Sequence, residues 1–169
     1  MQKIAKFYKV SEKQFIDDWC AETGCSVSEA RMVYQKIRLP RRATVGSAGY
    51  DFFAPEAFSL VPHETIKIPT GIRAEIAEGW VLQIYPRSGL GFKYRLQMDN
   101  TVGIIDSDYF TAKNEGHIFI KMTNSNRQGK TLSIVGGEGF AQGIFLPFGI
   151  TEDDDADGER TGGFGSTTK

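Results

Sequence analysis

Cysteine and histidine are scarce in this chain, with two of each in 169 residues. Cys20 and Cys25 have four residues between them and match neither a CxxC nor a zinc spacing, and only His63 and His117 could assist them. No zinc centre is expected, and the thiols read as reduced and without function. An excess of either charge is also missing, because 20 basic residues stand against 21 acidic ones. No overall field pulls such a molecule onto nucleic acid or an anionic membrane, so neither is expected as a partner. Apolar runs are far shorter than a membrane span, and MQKIAKFYKV is followed by no apolar segment or small-residue cleavage site. The expected location is the cytoplasm.

The composition suits one folded unit with a real core, since 40% of the residues are hydrophobic and 12% aromatic. KIAKFYKV alternates as a strand. SEKQ and SVSE then each match the Ser-x-x-Glu/Gln box that opens a helix. Phe15, Ile16, Trp19 and Cys20 form one stripe, and Ala30, Val33, Tyr34 and Ile37 recur at helical spacing. Two short helices over about residues 11–34 follow, stopped before Pro40. From residue 50 the texture changes to β: ETIKI, GIRAEI, WVLQIY, HIFIKM and KTLSIV are short runs divided by Gly, Pro and Asn, with no sustained helical periodicity. A sandwich, jelly roll or barrel is expected. TEDDDADGERTGGFGSTTK, residues 151–169, abandons strand patterning and reads as a mobile arm.

Five islands of small and reactive residues interrupt the β texture: GSAGYDFFA (46–54), PRSGLG (86–91), DNTVGIIDSDYF (99–110), EGFAQGIF (138–145) and ERTGGFGSTT (159–168). Alone, GIIDSDYF is a buried strand ending in a solvated turn, and PRSGLG is a Pro-Gly turn. Yet PRSGLG places Arg87 and Ser88 at a strand end beside glycines that let backbone N–H groups approach a phosphate. GGFGSTT has the same donors and hydroxyls, with Arg160 for bidentate phosphate contact and Phe164 as a stacking face.

In this order the five islands resemble the motifs of the trimeric dUTPase family, over about residues 36–168. The resemblance implies an all-β, distorted jelly-roll or β-barrel subunit over residues 1–150, with 11–34 as a helical insertion and 151–169 as an arm completing the site. It implies a homotrimer with sites between subunits, hydrolysing dUTP to dUMP and pyrophosphate with magnesium. Asp106 matches the carboxylate that deprotonates the attacking water, and Tyr109 the residue whose ring underlies the deoxyribose. Asn100, Gly103 and Ile104 match the hairpin that reads uracil. Arg87, Ser88 and Gly89 match the phosphate motif, while Asp51 and Gln142 match positions that meet magnesium through water. Arg160, Phe164, Gly165, Ser166 and Thr167 match the arm that covers base and γ-phosphate. Asp108 reads as structural.

The chain departs from the family pattern in three places. Several residues, FTAKNE, intervene after Tyr109 before Gly116; Gly139 stands where the fourth motif usually has Arg; and Arg160 is one residue closer to GGF than usual. Two other readings compete with a dUTPase. A dCTP deaminase of the same fold would need a catalytic Glu and a different base-reading segment, and a non-catalytic trimer would bind a protein partner through its N-terminal helices.

Overall fold

The computed structural model describes residues 2–158 and 160. Strand β1 (Ala5–Lys9) is followed by two helices, α1 (Glu12–Thr23) and α2 (Val27–Lys36). Ser26 closes a complete capping box: its hydroxyl accepts the Glu29 N–H, and the Glu29 carboxylate accepts the Ser26 N–H at 2.8 Å. Ser11 departs from the expected box. Its hydroxyl accepts the Gln14 N–H at 3.1 Å, but the Gln14 side chain turns to Asp18, and Glu115 accepts the Ser11 N–H at 2.7 Å instead. One inward stripe of the hairpin, Phe15, Ile16, Trp19, Ala30, Val33 and Ile37, is buried. The Cys20 and Cys25 sulfurs lie 3.7 Å apart as free thiols.

The remaining elements are β2 (Tyr50–Phe53), β3 (Phe58–Leu60), β4 (Thr65–Pro69), β5 (Ile72–Ile76), β6 (Trp80–Pro86), α3 (Ser88–Tyr94), β7 (Leu96–Met98), β8 (Gly103–Ile105), a 3₁₀ turn (Ser107–Thr111), β9 (Phe119–Asn124), β10 (Leu132–Ile134) and β11 (Gly139–Pro147). They form a four-stranded sheet in the order β2-β11-β6-β8, a three-stranded sheet β4-β9-β7, and the pairs β1-β5 and β10-β3, all antiparallel. The fold is β-rich and jelly-roll-like, and among the described residues no sheet closes into a barrel. Alternation along the strands sends Leu82, Ile84, Ile120, Met122, Leu132 and Phe140 into one core. Each such side chain contributes roughly 1.5–3 kcal/mol by leaving water.

One local feature differs from the pattern-based expectation. Residues 88–94 are helical rather than an open Pro-Gly turn, with Leu90 and Tyr94, one helical turn apart, half-buried against the core. Two glycines hid this short helix, because they lower helix propensity without forbidding it. At Gly71 the φ of 72° suits glycine, and a Cβ there would meet Ile37 Cδ1 at 2.3 Å and Phe15 Cδ2 at 3.2 Å. The helical hairpin therefore presses directly on the backbone between β4 and β5.

Candidate active site

β8 packs so closely on β6 that a Cβ on Gly103 would lie 3.0 Å from Ile84 Cβ. Asp106 leaves the end of this strand with its side chain 45% exposed, and its carbonyl accepts the Tyr109 N–H at 3.2 Å, opening the 3₁₀ turn. Arg160 spans the turn: Nη2 donates to Asp106 Oδ2 at 2.5 Å and Nε to Asp108 Oδ1 at 2.7 Å. Its guanidinium carbon lies 5.9 Å from the Tyr109 ring centroid. Tyr109 is 4% exposed. Its hydroxyl donates to the His117 carbonyl at 2.8 Å and accepts from Asn114 Nδ2 at 2.8 Å. Burial pushes the phenol up from its ordinary value, so it stays neutral and works by shape and hydrogen bonding. The expected hairpin is not formed among the described residues, because β7 pairs with β9 and β8 with β6; the link between them turns at Asn100 and Thr101, the latter at φ 68°, leaving Asn100 exposed and Ile104 half exposed.

A second constellation surrounds the end of β6. Arg87 Nε lies 3.2 Å from Asp51 Oδ1, and Arg87 Nη1 donates to the Gly139 carbonyl at 3.1 Å. Gln142 on β11 pairs with Asp51 on β2 across the sheet, and its Nε2 donates to the Pro86 carbonyl at 3.2 Å. Asp51, Arg87 and Gln142 line a polar cleft of about 350 Å³ together with Ser47, Gly49, Ser88 and Gly89. Gly49 leaves room for the Gln142 amide, because a Cβ would sit 2.6 Å from Gln142 Oε1 and turn that side-chain end aside. The GSAGYD island shows why its small residues matter: Ser47 and Gly49 form the cleft wall facing Arg87.

Asp106, Tyr109 and Arg160 thus stand together, as do Asp51, Arg87, Ser88, Gly89 and Gln142, but the two groups are apart. Ile105 pairs with Leu82, which puts Asp106 beside Val81; Arg87 is six residue steps further along the chain from Val81, or about 20 Å of strand. Phe164, Gly165, Ser166 and Thr167 lie outside the described residues.

An edge strand, buried on one face, delivering a carboxylate, and a separate Arg-Ser-Gly cleft, follow the pattern of the motifs that resembled dUTPases. The dUTPase family model matches residues 35–168. The chain belongs to the dUTPase family. The deoxyuridine 5'-triphosphate nucleotidohydrolase of Lactococcus lactis is 44% identical over 134 residues, covering 78% of this chain and 88% of that one. The dUTPase of Streptococcus mutans is 36% identical, with a TM-score of 0.60 over 70% of this chain and 91% of that structure. A mutant dUTPase from phage phi11 of S. aureus, described with a coordinated structural Mg(II) ion, shares the fold at 22% identity and a TM-score of 0.63, over 92% of this chain and 98% of that one. This dUTPase hydrolyses dUTP to dUMP and pyrophosphate, which decides between a hydrolase and the deaminase or non-catalytic readings. Helix α1 lies wholly outside the matched span.

Proposed function

We propose that Asp106 is the general base that deprotonates the water attacking the α-phosphorus, within a site shared between copies of the chain. The observation carrying this reading is the separation of Asp106 from Arg87 along β6. Attack requires reacting atoms about 3–3.5 Å apart, and phosphate contacts require hydrogen-bond distance. A triphosphate held by Arg87, Ser88 and Gly89 of one chain is out of reach of the Asp106 on that chain. A symmetric trimer that brings the cleft of one subunit to the carboxylate of the next solves this.

In that shared site Tyr109 lies beneath the deoxyribose, leaving no room for a 2'-hydroxyl. The link from β7 into β8, with Asn100, Gly103 and Ile104, reads the uracil edge, and a base with mismatched donors leaves buried polar groups unpaired. Arg160 exchanges its partners on Asp106 and Asp108 for the γ-phosphate, freeing Asp106 to take a proton. The arm, with Phe164 over the base and Gly165, Ser166 and Thr167 on the phosphates, completes the enclosure.

Magnesium fits the phosphate end as an ion that keeps its waters. Among the described residues of one chain no three His, Cys, Asp or Glu side chains cluster, which suits an ion that takes its remaining ligands from phosphates and water. Asp51 and Gln142 offer side-chain oxygens to the ion's water shell, and Arg87 holds the Asp51 carboxylate at the cleft through its Nε, 3.2 Å away. When bound, the metal neutralises charge on the phosphates.

Mixed assemblies test the reading. Asp106→Asn and Arg87→Ala chains should each be nearly inactive, yet refolding them together should restore turnover, because some sites then draw an intact carboxylate and an intact arginine from different chains. A mixture as inactive as its parts, or an active monomer in sedimentation, overturns the shared site.

A further inference from the structure

The helical hairpin and the residues inserted after Tyr109 are the two places where this chain exceeds its family's pattern, and they meet each other. His117 carries the junction. It is fully buried, and its Nε2 accepts the Gly71 N–H at 2.8 Å, so the ring proton sits on Nδ1 and is donated to Asp18 Oδ2 of α1 at 2.5 Å. Asp18 is fixed in turn by Gln14 Nε2 at 2.9 Å. The second junction is Glu115, held at φ 59°, whose carboxylate accepts both the Ser11 N–H at 2.7 Å and the Ser11 hydroxyl at 2.6 Å. One loop thus grips the first turn of α1 and a site two turns along it.

The other side of that loop grips Tyr109. The His117 carbonyl accepts the Tyr109 hydroxyl, Asn114 donates to it, and the Asn114 carbonyl oxygen Oδ1 accepts the Gly116 N–H at 3.3 Å. Gly116, at φ 70°, lies so near the 3₁₀ turn that a Cβ would be 2.6 Å from the Tyr109 carbonyl. Arg73 closes the remaining side, donating to the Phe110 carbonyl with its guanidinium 3.7 Å from the Phe110 ring. A loop needing only to reach β9 has no use for a buried histidine or for a carboxylate on a distant helix N-cap.

We infer that α1 and residues 110–117 are one brace that sets the Tyr109 ring, with Asp18, His117, Glu115 and Ser11 as positioning residues for sugar discrimination. The inference rests on the reading that Tyr109 contacts the deoxyribose. Its mechanism is mechanical: Tyr109 is joined to the brace through its hydroxyl and its backbone, so loosening α1 lets the ring recede and opens space for a 2'-hydroxyl.

The test compares kcat/KM for dUTP and UTP in the full-length enzyme for Tyr109→Ala, Asp18→Ala, Asp18→Asn and Glu115→Ala. Tyr109→Ala should narrow the dUTP preference. Asp18→Ala and Glu115→Ala should each narrow it about tenfold, the low end of what one misfitted small group costs. Asp18→Asn, which keeps an acceptor for the His117 Nδ1–H, should restore most of the ratio. Glu115 is a third exposed, so its variant serves if Asp18→Ala does not fold. A narrowed ratio for Tyr109→Ala with wild-type ratios for both brace variants overturns the inference while leaving the sugar contact standing. An unchanged ratio for Tyr109→Ala overturns both.

Discussion

Arg87 lies across Gly139, donating to its carbonyl at 3.1 Å, and a Cβ at position 139 would fall 3.0 Å from the same Arg87 nitrogen. The glycine that replaces the family's usual arginine is therefore the space in which Arg87 turns to reach Asp51. Gly139→Arg should displace that guanidinium and raise KM for dUTP about tenfold, the scale of one lost charge-assisted hydrogen bond of about 1.5 kcal/mol. Gly139→Ala should change KM much less, because the atom it meets ends a flexible side chain. Steady-state kinetics of the two variants checks this, and equal KM values would show that Arg87 does not depend on the glycine.

Asp106 and Asp108 share Arg160 yet should separate cleanly in function. Asp106→Asn keeps the shape but cannot accept the proton, so kcat should fall by about 10² to 10⁴ while dUTP still binds. Asp108→Asn should stay within a few-fold of wild-type turnover, since its carboxylate is half exposed and pairs with Arg160 of the arm. Single-turnover assays with binding measured on a non-hydrolysable analogue distinguish them. Comparable losses in both would move the base assignment off Asp106.

The arm offers a third measurement. Removing residues 159–169 should leave the assembly intact by light scattering and slow turnover strongly, because Arg160 and the GGFGSTT segment go together. Arg160→Ala alone should raise KM through the lost phosphate contact while keeping the Phe164 cover. Full activity in the truncated chain would make the arm a bystander.

Stability should fall at acid pH through the brace. Burial of Asp18 disfavours its charge, but hydrogen bonds from His117 and Gln14 and the attraction of Lys67 outweigh this and hold its carboxyl below the ordinary value. Burial of Glu115 is likewise outweighed by the Ser11 hydroxyl and N–H and by Arg73. A carboxylate depressed in the folded state contributes stability fully above its unfolded pKa, about 4, and loses it as pH falls through the lower folded value. Melting curves from pH 7 to 3 should therefore show a steeper acid-side drop in Tm for the wild type than for Asp18→Asn. Parallel curves would remove Asp18 from the pH response.

Much of this protein was legible in its residues. Ser26 and Glu29 are a local pair, three positions apart, so the capping box could be read without the fold. The alternation of WVLQIY and HIFIKM is likewise a property of adjacent residues, and it placed the strands within a residue or two of β6 and β9. The order of GSAGYD, PRSGLG, GIIDSDYF, EGFAQ and GGFGSTT was enough to bring the dUTPase family into view. What adjacency cannot carry is pairing at long range. Ser11 and Gln14 spell a capping box, yet Glu115 takes the place of Gln14 because the fold brings a stronger acceptor to the same N–H from 104 residues away. Nothing near His117 in sequence announces Asp18, and nothing in PRSGLG shows that β8 runs antiparallel to β6 and carries Asp106 to the far end from Arg87. Local propensity and motif order act over a few residues and were determined by the sequence alone. Register, the seating of α1 on Gly71 and the separation of the two halves of the site depend on which distant surfaces exclude water together, and only the tertiary structure decided them.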